Sequence, residues 1–220
     1  MAALARRRRV PYDFPMSRED ASALYCSEVV YRAYAAEGLD LWAFRADLGS
    51  PGLMRWLGGL GVRRFDIMEP SDLEYDPRLV PVAEWRNLKA LNRERVDGAI
   101  LDALLERAER GADLACPTRY LPVARLKMAL SAVQEALGMK RSLPRGLGAA
   151  QAVRAYGLDH RIFPVLRADV ESRAAVFEAS KGHPPPLWDL VAMAREAVEA
   201  EGPSLRPFYV PPPGSGGGGP

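Results

Sequence analysis

A chain of 220 residues, 48% hydrophobic and 26% charged, has the apolar content of one substantial core and an ordinary globular balance. Its 30 basic residues nearly cancel its 28 acidic ones, so a net charge of +2 singles out no anionic partner. Two cysteines and two isolated histidines offer neither a disulfide framework nor the short Cys/His spacing of a metal site, so neither a cofactor nor a metal is expected.

The chain opens on a basic stretch, Arg6 to Arg9. Arms that bind nucleic acid or a membrane surface use such runs. Here no aromatic residue or further basic cluster follows, so residues 1–9 read as a solvated, flexible terminus with no specific nucleic-acid partner. The "VPYDFPMSRED" that follows lacks the apolar stretch of a secretory signal. No uninterrupted apolar run reaches the length of a membrane span. As written, the sequence reads as cytoplasmic.

"FPMSREDASALYCSEVVYRAYAAEGLDLW" predicts an extended segment, a polar turn and a helix stopped by Gly38. The helix start is open between two positions. Ser17 with Asp20 resembles a capping box, whereas Ser22 would cap a shorter helix beginning at Ala23. Next come a short helix over residues 53–56, a turn through Gly58, Gly59 and Gly61, and a strand over residues 62–67. The glycines make no phosphate loop, because they precede a strand and no Lys-Ser/Thr follows them. "RLVPVAEW" suggests a second strand that Pro81 confines to an edge.

Residues 97–110 predict an amphipathic helix with Ile100, Leu101, Leu104 and Leu105 on one face and Gly111 as its stop. Further helices are expected over 123–137 and 187–200, the latter ended by Gly202, with shorter pieces over 149–156 and 167–179. Apolar residues at helical spacing are usually core. Under that rule Leu126, Met128, Leu130, Val133 and Leu137 are core, or else they pack on a partner or a membrane, and Trp188, Val191 and Met193 carry the same alternatives. The tail "PPPGSGGGGP", residues 211–220, cannot bury a core and is expected to be disordered.

The one concentration of chemistry is "YCSEVVYRAY", residues 25–34. A nucleophilic cysteine needs thiolate character, access, and a base to move protons. A helix starting near Ala23 would put Cys26 in its first turn, where unpaired N–H groups and the helix dipole favour a negative sulfur. The competing reading comes from spacing. Cys26, Val29, Val30 and Ala33 follow i, i+3, i+4, i+7, which makes Cys26 a buried apolar filler and Glu28–Arg32 a surface ion pair.

"PYDF" at 11–14, Asp20, "YCSEVVYRAY" and Gly38 together resemble the YiiX/YebB-like branch of the permuted papain-like hydrolases, relatives of the NlpC cell-wall peptidases. "EPSDLEYDPRLVPVAEWR", residues 69–86, is similar to a downstream segment of some members, so the likeness covers about residues 10–110. It implies an α+β fold, a partial permuted papain-like (NlpC-type) domain over residues 10–111, with a nucleophile helix and a few strands. A mostly helical extension over 112–210 follows. It also implies that Cys26 is the catalytic nucleophile, with Tyr25, Ser27 and Glu28 as motif neighbours. The expected substrate is a cell-wall peptide amide or a lipid-linked acyl group, with cell-wall or membrane association not itself encoded in this chain.

In the resembled family the catalytic histidine precedes the cysteine, on a strand of the N-terminal half. Here no histidine precedes Cys26, and His160 and His183 lie outside the matched region. The expectation is a back half whose N-terminal portion is missing, through a truncated gene or a start placed too far downstream, the latter also hiding any signal peptide. The alternative is a catalytically inactive remnant or protein-binding module using the region from Cys116 onward.

Overall fold

Alanines set the geometry of the main helix pair. In the computed structural model, which describes residues 12, 24–41, 46–47, 50–63, 66–67, 76–80, 82–83, 87–139, 142–143 and 146–213, helix α3 (Leu88–Glu109) packs along helix α7 (Leu187–Glu201). The buried side of α3 is Val96, Ala99, Ile100, Ala103, Leu104 and Ala108, and that of α7 is Leu190, Val191, Ala194, Ala197 and Val198. Five of these eleven are alanines, which let two backbones approach while the branched residues fill the flanks. Helix α6 (Phe163–Lys181) closes the bundle with Leu166 and Val170 turned inward, and Ile162 just before it is buried as well. Ion pairs fix the three helices at their rims. Arg167 grips Asp97 through two hydrogen bonds of 2.7 and 3.0 Å, Arg173 reaches Glu196 at 2.7 Å, and Arg195 binds Glu106 through both carboxylate oxygens.

Around this bundle sit helices α2 (Pro51–Leu60), α4 (Leu121–Ala136) and α5 (Ala149–Gly157), with α2 against α3 and α5, and α4 against α5. Helix α1 (Cys26–Ala35) contributes no residue to the core cluster, which begins at Trp56 and ends at Tyr209. That cluster draws on both sides of residue 111, because α3 joins α6 and α7. The described chain is thus mostly helical. Its two small antiparallel ladders pair β1 (Ala46–Asp47) with β2 (Asp66–Ile67), and β3 (Asp113–Leu114) with β4 (Tyr209–Val210).

Several boundaries differ from the sequence reading, each for a local reason. Helix α2 starts at Pro51 because Ser50 caps the Leu53 N–H and proline suits a first helical position. It runs on through Gly58 and Gly59 to stop at Gly61, whose φ of 107° is a left-handed cap. Helix α3 starts nine residues before Asp97, at a cap in which Asn87 accepts from the Ala90 N–H at 3.1 Å. Its opening turns are largely exposed and carry no apolar period. Of the strand expected over 62–67, residues 62 and 63 are not in a strand, 64 and 65 lie outside the described residues, and 66 and 67 form β2, whose partner is β1. No strand forms among the described residues of "RLVPVAEW", where Val80 and Val82 point into solvent. The ladder joining β3 to β4 spans nearly a hundred residues and left no short-range signal.

Helices α5 and α6 form one continuous rod through a π turn, Leu158–Ile162. Pro164, in the first turn of α6, has no N–H to donate and would press on the carbonyl four residues back, so the extra residue relieves it. Gly202 does not reverse the chain, having φ −45° and ψ −44°. Of the tail, Pro212 is buried and Pro213 lies against Gly111, while residues 214–220 fall outside the described residues.

Gly52 and Gly58 make a paired test of this packing. A Cβ at Gly52 would sit 2.4 Å from the Ala108 carbonyl oxygen and 2.8 Å from Glu109 Cα, so Gly52→Ala forces α2 off α3 at a cost of about 1–3 kcal/mol. A Cβ at Gly58 meets nothing within 4 Å, so Gly58→Ala gains roughly 0.5–1 kcal/mol of helix propensity. Urea denaturation of both variants checks the opposite signs.

Candidate active site around Cys26

Cys26 is the first residue of α1. Tyr25 takes the N-cap position with extended backbone, φ −96° and ψ 168°, and among the described residues no side chain caps this end. The helix therefore starts three residues later than a start at Ala23. Ser17, Asp20 and Ser22 fall outside the described residues. The first turn of any α-helix presents N–H groups without helical acceptors, and the first one satisfied here is that of Val29, bonded to the Tyr25 carbonyl at 3.3 Å. At its other end α1 stops after Ala35, and the chain turns at Gly38, φ 79°, with the Leu39 N–H returning to the Tyr34 carbonyl.

The burial pattern overturns the spacing argument. Cys26 and Val29 are exposed, whereas Tyr25, Ser27, Glu28 and Ala33 are buried. The i, i+3, i+4, i+7 stripe is not a core face, because the inward positions are taken by polar residues. Glu28 is 1% exposed. Its Oε1 accepts from Arg32 Nε at 2.6 Å, and its Oε2 has no hydrogen-bond partner. The pair is half-buried and not a surface one, its carboxylate enclosed and its guanidinium side partly exposed. A carboxylate oxygen buried unpaired is costly unless something compensates it.

Two further contacts position α1. Leu24, just before it, makes a parallel bridge to Tyr12, the one described residue of "PYDF". Beyond α1, the buried carboxylate of Asp76 accepts from the Arg78 backbone N–H at 3.0 Å and from the Arg78 guanidinium at 2.9 and 2.6 Å. The same guanidinium donates to the Asp40 carbonyl at 2.8 Å. The turn at Asp76 is thereby pinned to the segment leaving α1. Sequence reading missed this clamp, since nothing in "YDPR" says what Arg78 will reach.

Neither histidine is placed with the cysteine. His160 lies in the π turn, 2.9 Å from Asp159 and stacked on Tyr156. His183 follows α6, its ring 2.9 Å from the Pro184 carbonyl and edge-on to Phe177. Cys116 is half-buried against the core, and both thiols are free. Among the described residues no three His, Cys, Asp or Glu side chains gather as metal ligands, and no helix is long and apolar enough to cross a membrane. Among the described residues the site thus offers an exposed thiol, backbone donors of a first helical turn and a buried carboxylate, a set suited to attacking a carbonyl, with neither histidine beside it.

No family model, curated protein or solved structure matches the chain.

Two measurements follow from this geometry. In the native protein iodoacetamide modifies Cys26 before Cys116, and the difference disappears in denaturant. Equal native rates read by peptide mass spectrometry would contradict the exposures. The Arg78 guanidinium, and then its backbone N–H, lower the Asp76 pKa from 3.8 to about 2. A carboxyl depressed in the folded state stabilises above its unfolded pKa and loses that contribution as pH falls through the folded value. The clamp is therefore intact above pH 3.8 and released towards pH 2. Carboxyl NMR titration should give a midpoint near 2 for Asp76, and Arg78→Ala should return it to the ordinary range.

Proposed function

We propose that this chain carries the nucleophile of a permuted papain-like thiol hydrolase, which cleaves an amide or ester bond in a cell-wall peptide or lipid-linked acyl substrate. The observation that supports it most directly is the exposed thiol of Cys26 at the first position of α1. The Cys26 thiolate attacks the carbonyl carbon, and the tetrahedral oxyanion is held by N–H groups of the first helical turn. Collapse expels the amine or alcohol and leaves a thioester on Sγ, which water then hydrolyses. Removing the thiol proton and protonating the leaving group needs an acid–base group. In this reading a histidine from a polypeptide segment other than those bearing His160 and His183 supplies it.

The engagement of both histidines far along the chain favours a second reading, a catalytically inert binding module. Chemical rescue separates the two. With a p-nitrophenyl ester the folded chain should acylate at Cys26 faster than the urea-unfolded chain. Added imidazole should then raise turnover by part of the roughly 10²–10⁴-fold that a positioned base contributes. Cys26→Ala abolishes both effects. Acylation no faster than in the unfolded chain, or turnover unchanged by Cys26→Ala, would sink the hydrolase reading and leave the binding module.

A further inference from the structure

Helices α3 and α7 end side by side, with Arg107 in the last turn of one and Glu199 near the end of the other. A cavity of about 210 Å³ is lined by these two ends and by the segment around β4. Two of its lining residues are arginines, Arg107 and Arg206, and only one, Glu199, is acidic. Elsewhere on the rim of the bundle, Arg167 and Arg173 bond carboxylates at 2.7 Å. Arg195 takes both oxygens of Glu106, the other carboxylate whose charge Arg107 feels. Arg107, only 15% exposed, is left with one contact, to Glu199 at 3.4 Å. The Arg206 side chain has no ion pair or hydrogen bond among the described residues. A basic residue at a helix C-terminus ordinarily balances the carbonyls left open there. These two arginines do not. The Glu106, Arg107 and Ala108 carbonyls accept from the N–H groups of Arg110, Ala112 and Gly111, and that of Glu201 accepts from Ser204 and Leu205. Among the described residues neither guanidinium donates to a carbonyl. A guanidinium carries five donors, and one this enclosed is costly to leave unbonded.

We propose that this cavity binds a small organic acid, its carboxylate on Arg107 and Arg206 and its apolar body against Val198 and the proline rings. Two guanidiniums and one carboxylate leave the lining with a single net positive charge, which one bound carboxylate neutralises. The two oxygens of a carboxylate also match the fork of a guanidinium. Tyr209 adds a third donor to the lining, fixed in place by its pairing with Leu114. Burial raises the pKa of its phenol, with the Arg107 charge a smaller opposing effect, so the phenol keeps its proton. Pro203, Pro211 and Pro212 complete an apolar wall that a bare phosphate would leave unused. Sites for drug-sized ligands span roughly 300–1,000 Å³, so this smaller cavity suits a body no larger than that of benzoate. Glu199 is 76% exposed, and an exposed pair at 3.4 Å gives way at little cost when a ligand takes its place. The proposal goes beyond both the hydrolase and the binding-module readings and depends on neither.

Calorimetric titration of the full chain with sodium benzoate tests it. The expected result is saturable binding at one site, with a dissociation constant on the order of 1 mM. Benzamide, which has the same shape without the charge, should bind roughly tenfold more weakly or worse. Arg107→Gln and, separately, Arg206→Gln should each weaken benzoate by roughly tenfold while the circular dichroism spectrum is unchanged. Glu199→Gln removes the competing anion and should tighten benzoate by roughly threefold. Arg206 and Glu199 are both exposed, so their variants carry the test even if Arg107→Gln unfolds the chain. Several outcomes would overturn the proposal. Failure to saturate at ten times the expected constant would remove the site. Benzamide binding as tightly as benzoate would make the cavity merely apolar, and inorganic phosphate binding as tightly would reassign it to phosphate. Benzoate affinity indifferent to both Arg206→Gln and Glu199→Gln would place the ligand elsewhere on the chain.

Discussion

The close approach of α3 and α7 is the constraint on which the larger part of the molecule depends. Ala99, Ala103 and Ala108 on one helix and Ala194 and Ala197 on the other are all essentially inaccessible. With side chains that small, stability comes from contact density and not from the area of any single residue. Leu166, Val170 and Ile162 can reach the pair only if the two helices stay at that separation. The Gly52 contact with the end of α3 extends the same logic to α2, where one absent methyl group permits the approach. The Gly157 contact with the Phe208 ring does so again where the rod of α5 and α6 meets the segment carrying β4.

That core was largely legible in the sequence where apolar residues recur in step. The row from Ile100 to Leu105 and the block of α7 read as helical in the sequence, Ile100 and Leu104 are buried as expected, and Val191, which the sequence left open between core and contact surface, is buried too. Leu101, on the same expected face, is instead exposed, because the buried side of α3 is completed by alanines. Features without a short-range signature were not legible. The first turns of α3 have a cap but no apolar stripe, and the β3–β4 ladder joins residues distant in sequence. Trp188 illustrates a different limit. It shares helical spacing with Val191, yet one points out and the other in, since hydrophobic type does not fix azimuth when the helix is short of partners.

On α1 the periodic stripe did not mark the buried side, and on α4 periodicity left open whether the row is core or a contact surface, and the two have a common cause. The hydrophobic pattern of a helix reports which faces are apolar, not which of them this chain covers. On α1 the pattern pointed to Cys26 and Val29, yet the buried positions are held by Ser27 and Glu28. On α4 the better-formed stripe is the uncovered one, and the covered side is the pair Ala124 and Ser131. A protein that evolved only to fold would gain by turning the leucine row inward, because burial of a large aliphatic side chain contributes about 1.5–3 kcal/mol.

Cys26 and the helical core are coupled only weakly, and this bears on how either could act. No residue of α1 belongs to the cluster that holds α2 to α7 together. Leu24, Tyr25, Ala33 and Leu41 are buried in and beside it, the Glu28–Arg32 pair lies within it, and the Asp76–Arg78 clamp holds the segment that leaves it. The two ion pairs depend on their geometry, because a buried carboxylate that loses its partner becomes costly to keep. Glu28 already stands partway to that state, with one oxygen bonded and one not. A donor delivered to Oε2 would therefore do two things at once. It would satisfy a buried acceptor, and it would anchor the helix whose first residue presents the thiol. The hydrolase reading calls for an outside polypeptide segment to bring a base to Cys26. A segment that also brought such a donor would bind in part through the free energy now lost at Glu28.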